Sequence, residues 1–309
     1  MNNSEHHPLV SIGLPVYNGE KYLEKSIDSI LAQTFTDLEL IICDNASTDR
    51  TSEICQKYAA SDPRVRYFHN PTNVGGANNH NLTFKHSRGK YFRWASHDDL
   101  VEPALIEKCV AVLESNPAIV LCHTDIVAID EHGSVKEVIS RNHASSPKSW
   151  ERFATLASAK DFCEESYGLI RADVFGKTPL QKDYTGSDRT LVSEISLYGQ
   201  FYNIPEPLFK KRFHPGNVYL DWRTRMAWFG KKYEGKIVLP WWIQFFDYLK
   251  MIGRVPLTGY EKIRCYLYML RWLTIYGPKM VKDLLVAAYM IVQSPEQRRQ
   301  KVRKTANWG

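Results

Sequence analysis

Leu38-Glu39-Leu40-Ile41-Ile42-Cys43-Asp44-Asn45-Ala46-Ser47-Thr48-Asp49 passes from a nearly continuous apolar run into a polar, acidic loop. Such a run fits a strand in a parallel sheet covered on both faces. Ser47, Thr48 and Asp49 offer caps for a following helix that carries Ile54 and Tyr58. Upstream, Val10, Ile12 and Leu14 alternate with smaller residues until Pro15. Asn18 is then expected to cap a helix whose apolar face is Leu23, Ile27, Ile30 and Leu31. Downstream, the pattern predicts strands at 65–68, 91–95 and 119–122. Helices are predicted around 79–86 and after Pro103. Strands alternating with helices predict an α/β fold with a doubly wound, mostly parallel sheet, and ligand groups at the strand C-terminal ends.

From Asp125 onward the pattern changes. Residues 130–133 read as a hairpin turn and 144–148 as a polar, Pro-containing break. A helix is expected near Asp188 and a strand at 201–204, closed by Pro205 and Pro207. Beyond Gly216 the chain reads as helical, aromatic and basic. There Tyr260, Ile263, Tyr266, Leu267 and Leu270 share a face that ends at Gly277-Pro278. No internal repeat or low-complexity tract stands out.

The 309 residues are 44% hydrophobic and 24% charged, ordinary for a globular chain, with a mild formal charge of +6. Six scattered cysteines include no Cys-x-x-Cys pair, which argues against a zinc framework and fits a reducing cytosol. The polar lead-in at 1–8 reads as no secretory signal, and no apolar run approaches the ~20 residues of a membrane span.

Three acidic sites fall at expected strand ends or helix starts: Asp44-Asn45, Asp98-Asp99, and Asp188 after Gly186-Ser187. Carboxylates meet phosphates through a divalent cation such as Mg²⁺ or Mn²⁺, so acidic pairs here suggest a hard cation and a phosphorylated ligand. Each site alone also looks like an ordinary cap. Their order is more specific: Pro15-Val16-Tyr17-Asn18, Asp44-Asn45-Ala46-Ser47-Thr48-Asp49, Asn73-Val74-Gly75 and His97-Asp98-Asp99, at regular αβ intervals.

This ordered set resembles the family 2 glycosyltransferases over roughly residues 8–215. The resemblance implies a GT-A nucleotide-binding domain over 1–215, with a nucleotide part at about 8–124 and an acceptor part at 125–215. A helical C-terminal region, 216–309, follows. It further implies that Pro15, Val16 and Tyr17 border the nucleotide, that Asp44 accepts a hydrogen bond from the base (usually uracil), and that Asp98 lies near the ribose or diphosphate. Asp99 would bind the metal, with His214, in the Arg212-Phe213-His214-Pro215-Gly216 segment, as a further ligand. His97 replaces the first acid of the usual Asp-x-Asp motif, and His80-Asn81 stands where many relatives have Arg-Asn. Asp188 is implied as the catalytic base, although Ser187 or Asp188 also suits an N-cap.

The implied reaction is an inverting transfer from a nucleotide-diphosphate sugar, with uracil as the base the resemblance implies, to a hydroxyl of a glycan or lipid-linked acceptor in cell-surface polysaccharide synthesis. Trp94, Phe162 and Tyr167 are candidates to stack on sugars, and each also suits a core. A sugar-phosphate nucleotidyltransferase would need a Gly-rich basic loop near the N-terminus, and a dehydrogenase a Gly-x-Gly-x-x-Gly that Gly13 and Gly19 do not supply. A catalytically impaired sugar- or lipid-binding protein on the same fold is the remaining alternative. No nucleic-acid partner is expected. Arg298, Arg299, Lys301, Arg303 and Lys304, with Trp241, Trp242, Phe245, Phe246 and Trp272, suggest a cytoplasmic protein peripheral to an anionic membrane. The competing expectation is that these aromatics pack against the catalytic domain.

Overall fold

The computed structural model describes residues 7–159, 163–214 and 236–291. Its elements run β1 (Val10–Val16), α1 (Leu23–Leu31), β2 (Leu38–Asp44), α2 (Thr51–Ser61), β3 (Val65–His69), α3 (Gly76–Lys85), β4 (Tyr91–Trp94), β5 (Leu100–Val101), α4 (Leu105–Ser115), β6 (Ile119–Ile129) and β7 (Val135–Ile139). Then come α5 (Ser149–Ser158), a 3₁₀ turn (Glu164–Tyr167), β8 (Leu169–Arg171), α6 (Ala172–Phe175), α7 (Ser187–Tyr198), β9 (Gln200–Arg212), α8 (Pro240–Arg254) and α9 (Gly259–Ile291).

One sheet follows the order β3-β2-β1-β4-β8-β6-β9-β5, with β7 bonded to β6. It is parallel across β3, β2, β1 and β4 and again between β6 and β9. Strand β8 joins β4 to β6 antiparallel. Strand β2 extends the sheet from one side of β1 and β4 from the other, so the order reverses at β1. Such a switch opens a crevice beyond the strand C-termini. Here it is walled by the segments after Val16 and Trp94.

Strand β2 is buried throughout, as its apolar run requires. Its first acid, Glu39, is compensated by Ser11 Oγ at 2.7 Å and Arg66 Nη1 at 2.7 Å. One core cluster, including Leu14, Leu23, Ile42 and Leu105, fills the side covered by α1, α2 and α4. A second, built on Phe92, Trp94, Phe175, Val192 and Ile195, fills the side covered by α3, α6 and α7. Gly13 lets α3 approach the sheet, since a Cβ there would lie 2.4 Å from Thr83 Oγ1 and 2.8 Å from the Phe92 ring. Gly13→Ala should therefore destabilise by about 1–3 kcal/mol, the usual cost of overpacking, read from urea unfolding.

Several elements depart from the expected limits. Strand β1 continues through Pro15 to Val16. Asn18 does not cap α1. It sits at φ 50°, and its Oδ1 accepts from the Thr48 amide at 2.8 Å, tying the β1 loop to the β2 loop. Asp49 does act near the start of α2, accepting from the Thr51 amide at 3.0 Å. The change read at Asp125 lies inside β6, which continues to Ile129 before the expected turn at Gly133. Strand β9 likewise runs through Pro205 and Pro207. Its pairing with β5 involves only Phe209 and Lys210, so the prolines face no partner there, and β6 absorbs them with register shifts around Asp125.

Helix α9 is not ended by Gly277-Pro278. Cys265, Met269, Trp272, Tyr276 and Met280 pack on α5 and α8 to both sides of the proline, offsetting its cost of ~3 kcal/mol. The face read from Tyr260 to Leu270 is the outer one and is exposed. Trp272 is fully buried, donating to the Ala157 carbonyl at 3.1 Å, while Trp241, Trp242 and Phe245 pack around it. Phe246 alone of that aromatic set is exposed. Among the described residues no helix is long and apolar enough to cross a membrane. The basic run at 298–304 and Phe162 lie outside the described residues.

Candidate active site

The crevice at the β1–β4 switch holds most of the singled-out residues. From β1, Pro15 and Val16 are buried and Tyr17 is exposed at the rim. Gly19 lies against His97, where a Cβ would come within 2.9 Å of the imidazole. At the end of β2 the Asp44 carboxylate is fully buried. Oδ1 accepts the Ser47 amide at 2.9 Å, and Oδ2 accepts Tyr67 OH at 3.0 Å and lies 3.3 Å from His69 Nδ1. Asp44 therefore organises a loop as well as ending a strand, and the His69 ring beyond it reaches solvent.

The loop after β4 carries Asp98 and Asp99, both buried. Two features hold it. Arg212, at the end of β9, donates its amide to Asp99 Oδ1 at 2.8 Å and its Nε to the Asp98 carbonyl at 2.8 Å. Its Nη1 reaches the Asp130 carbonyl at 3.0 Å, and the guanidinium lies 4.7 Å over the Tyr22 ring. Two residues on, His214 Nε2 stands 3.0 Å from Asp98 Oδ2. The end of β9 is thus latched onto an acidic loop more than a hundred residues away. In the sequence Arg212 opens the segment that carries His214, with no role of its own implied. Its same-parity spacing from His214 was the signal available.

The two carboxylates differ. Burial works against ionising Asp98, but the His214 bond, the nearby His97 and the Ser96 hydroxyl outweigh it and hold the carboxyl well below its ordinary range. Burial and then repulsion from Asp98 push Asp99 upward, against the pull of Lys211, the Arg212 amide and Arg93. Two buried carboxylates in one loop are not comfortably ionised together, and a divalent cation relieves that conflict. Among the described residues no three such side chains converge into a preformed cage. Two carboxylates and a histidine nevertheless suit a hard cation that keeps waters and takes its remaining oxygens from phosphates. The structure sets His214 on Asp98, whereas the sequence reading paired it with Asp99.

Asp188 is the second residue of α7, half-buried, and does not cap it. Gly186 at φ 91° holds the N-cap position with no side-chain cap bond. The neighbouring Ser187 is used structurally, donating to the Lys182 carbonyl at 2.6 Å. Asp188 and the acidic loop both act electrostatically on Tyr167. Tyr167 feels the charges of Asp99, Asp98, Asp188 and Glu164, and burial, above these, pushes its phenol well up. Tyr167 is half-buried against Phe209 and Lys211. Below it, Arg93 Nε and His123 Nε2 find no hydrogen-bond partner among the described residues. Both line a cavity of about 10 Å³, the size of one water.

Other candidates belong elsewhere. Trp94 is core, its Nε1 donating to the His80 carbonyl at 3.1 Å. His80 is driven down to about 4 by burial, against the upward pull of its bond to the Gly76 carbonyl, 2.8 Å away. Asn81 bridges α3 to Gln181 at 2.8 Å. Glu194 is buried and gripped by Arg254 at 2.5 and 2.9 Å, and Glu165 meets His143 at 2.7 Å.

With this geometry, the comparisons with known proteins are informative. The pattern described as Glycosyl transferase family 2 matches residues 11–177, more than half the chain. The chain belongs to glycosyl transferase family 2. An uncharacterized glycosyltransferase of Haemophilus influenzae is 32% identical over 224 residues, covering 68% of this chain and 67% of its own length. A chondroitin synthase of Escherichia coli is 38% identical over 128 residues, covering 41% of this chain but 18% of that protein. TarS of S. aureus, solved in complex with UDP, superposes with a TM-score of 0.64 at 13% identity, over 96% of this chain and 86% of that one. A Pyrobaculum calidifontis mannosyltransferase in complex with GDP-Man and Mn²⁺ gives 0.52 at 17% identity, over 98% and 85%. These likenesses establish the GT-A fold. Within glycosyl transferase family 2, the acidic loop, Arg212, His214 and Asp188 form the candidate centre of a glycosyltransferase.

Proposed function

We propose that this glycosyltransferase moves a sugar, with inversion, from a nucleotide-diphosphate donor to a hydroxyl of a glycan or lipid-linked acceptor in surface-polysaccharide synthesis. The observation that carries this reading is the Asp98-Asp99 loop at the sheet's switch point, latched by Arg212 and His214. The chondroitin synthase relative supports the polysaccharide assignment, and the UDP complex of TarS supports a UDP-linked donor.

In this reading residues 8–124 hold the donor. Pro15, Val16 and Tyr17 border the nucleotide, Asp44 accepts a hydrogen bond from the base, and Asp98 lies by the ribose or diphosphate. Residues 125–215 supply the acceptor side. Asp98, Asp99 and His214 would hold Mg²⁺ or Mn²⁺, which when bound offsets charge on the diphosphate. Asp188 takes the proton of the acceptor hydroxyl as its oxygen bonds to the anomeric carbon. The bond from that carbon to the diphosphate oxygen breaks, and the nucleotide diphosphate carries off the electron pair. One displacement with no protein nucleophile inverts the anomeric centre.

Incubation with a panel of nucleotide sugars and hydroxyl acceptors, with glycoside products identified by mass spectrometry and their anomeric configuration read by NMR, tests the reading. A product of inverted configuration is expected. Retention, or nucleotidyl transfer in place of glycosyl transfer, would overturn it. A narrower expectation concerns Asp44→Ala. Calorimetry should find nucleotide binding weaker by ~1.5–3 kcal/mol, the value of a hydrogen bond to a charged group. The melting temperature should fall as well, since Tyr67 and Ser47 lose their acceptor. Unchanged nucleotide affinity would remove Asp44 from the donor site.

A further inference from the structure

The outer face of α9 is apolar along most of the helix. Ile263, Leu267, Leu270, Val281, Leu284 and Leu285 are all exposed, between 45% and 67% of their surface. They lie opposite Cys265, Met269, Trp272, Tyr276 and Met280, which pack on the body of the protein. At ~100° per residue they cover a stripe about 100° wide, broader than the two-position seam through which one helix grips another. From Ile263 to Leu285 the stripe runs roughly 33 Å at 1.5 Å per residue. A surface of that size on a folded protein marks an interaction site.

The charges on this helix identify the occupant. Arg264, Arg271 and Lys282 are exposed along one flank of the stripe. The only acids of α9 are engaged inward: Glu261 accepts from Ser149 Oγ at 2.7 Å, and Asp283 accepts the Trp241 amide at 2.9 Å. A second copy docked on the stripe would bring cations toward cations with no carboxylate of α9 to compensate. A broad apolar face with a cationic flank and Tyr260 and Tyr266 at its margins instead fits the boundary between headgroups and acyl chains.

We propose that the outer face of α9 docks on an anionic phospholipid bilayer, with the stripe at the acyl boundary and Arg264, Arg271 and Lys282 against the headgroups. The aromatics of α8 and Trp272 are the packing behind this face, and the docking stands independently of the sugar-transfer reading. It places α9 beside a membrane, with no helix among the described residues long and apolar enough to span it.

Co-sedimentation of the full chain with vesicles tests it, using phosphatidylcholine alone and phosphatidylcholine mixed with phosphatidylglycerol. Binding is expected only to the mixed vesicles and should weaken with salt. Leu267→Glu with Leu270→Glu should lower the partition coefficient at least ~10-fold, from lost apolar burial. Arg264→Gln, Arg271→Gln and Lys282→Gln together should lower it by a similar or larger factor, about 5-fold per charge. Val135→Glu with Val138→Glu, exposed positions on β7, should leave it unchanged. Because the tail beyond α9 is common to all variants, differences among them report on the helix. All positions are exposed, and unaltered circular-dichroism melts would confirm the fold. Failure of the parent to bind anionic vesicles, or equal binding by the α9 variants, would overturn the proposal. So would a dimer in sedimentation equilibrium that Leu267→Glu with Leu270→Glu dissociates while vesicle binding persists.

Discussion

Asp188→Asn should lower sugar transfer by roughly 10²–10⁴-fold, the contribution of a general base, with donor affinity and melting temperature unchanged. The structure makes this variant clean. Gly186, not Asp188, occupies the N-cap of α7, and no side-chain cap bond is lost. The amide oxygen of Asn can still accept the Arg189 amide, now 2.9 Å from Asp188 Oδ1. What the variant loses is the ability to take a proton. Glu194 cannot substitute, because Arg254 holds both its oxygens, and Glu165 is held by His143. Turnover at the parental rate, read from initial rates of product release, would move the base elsewhere, with Asp183 the next carboxylate to replace. Loss of the fold would make Asp188 structural and the assignment wrong.

Asp99→Asn should abolish the stimulation of transfer by Mn²⁺ while leaving the fold intact. The carboxamide oxygen can keep the Arg212 amide bond now made by Oδ1 at 2.8 Å, so the latch on β9 survives. The change removes a negative charge from a loop where burial and Asp98 already oppose it, which favours the apo fold. Electrostatic stabilisation of a leaving diphosphate by a cation contributes several kcal/mol, so the Mn²⁺-dependent rate should fall at least about 100-fold. His214→Ala should weaken Mn²⁺ dependence less, since Asp98 and Asp99 both remain. Full stimulation in Asp99→Asn would take Asp99 out of the cation site.

The alternation of strands and helices from Val10 to Cys122 was legible because local pattern and burial agree there: β2 reads as apolar and is covered on both faces. The acidic positions were legible as strand-end loops for the same reason. Partnership across distance was not. Proline is a local stop signal, yet β9 passes Pro205 and Pro207 because its outer edge is unpaired there, a fact set by β5 a hundred residues earlier. Periodicity likewise found an apolar face on α9 but could not say which of two such faces would meet α5 and α8. Asn18 resembled a cap because it precedes a helix, and its acceptor is spent on Thr48 from another loop. In the site, the acids were found by motif order, whereas Arg212, which joins them to β9, needed the fold to be seen.

The Asp98-Asp99 loop with His214 is, in the proposed function, where a nucleotide diphosphate and a divalent cation meet. Isothermal titration of UDP and GDP into the parent and Asp99→Asn, each with and without Mn²⁺, tests it most directly. One nucleotide should bind the parent at least ~10-fold more tightly with Mn²⁺ present, and that gain should vanish in Asp99→Asn. Affinity indifferent to both Mn²⁺ and Asp99, or no binding of either nucleotide, would contradict it.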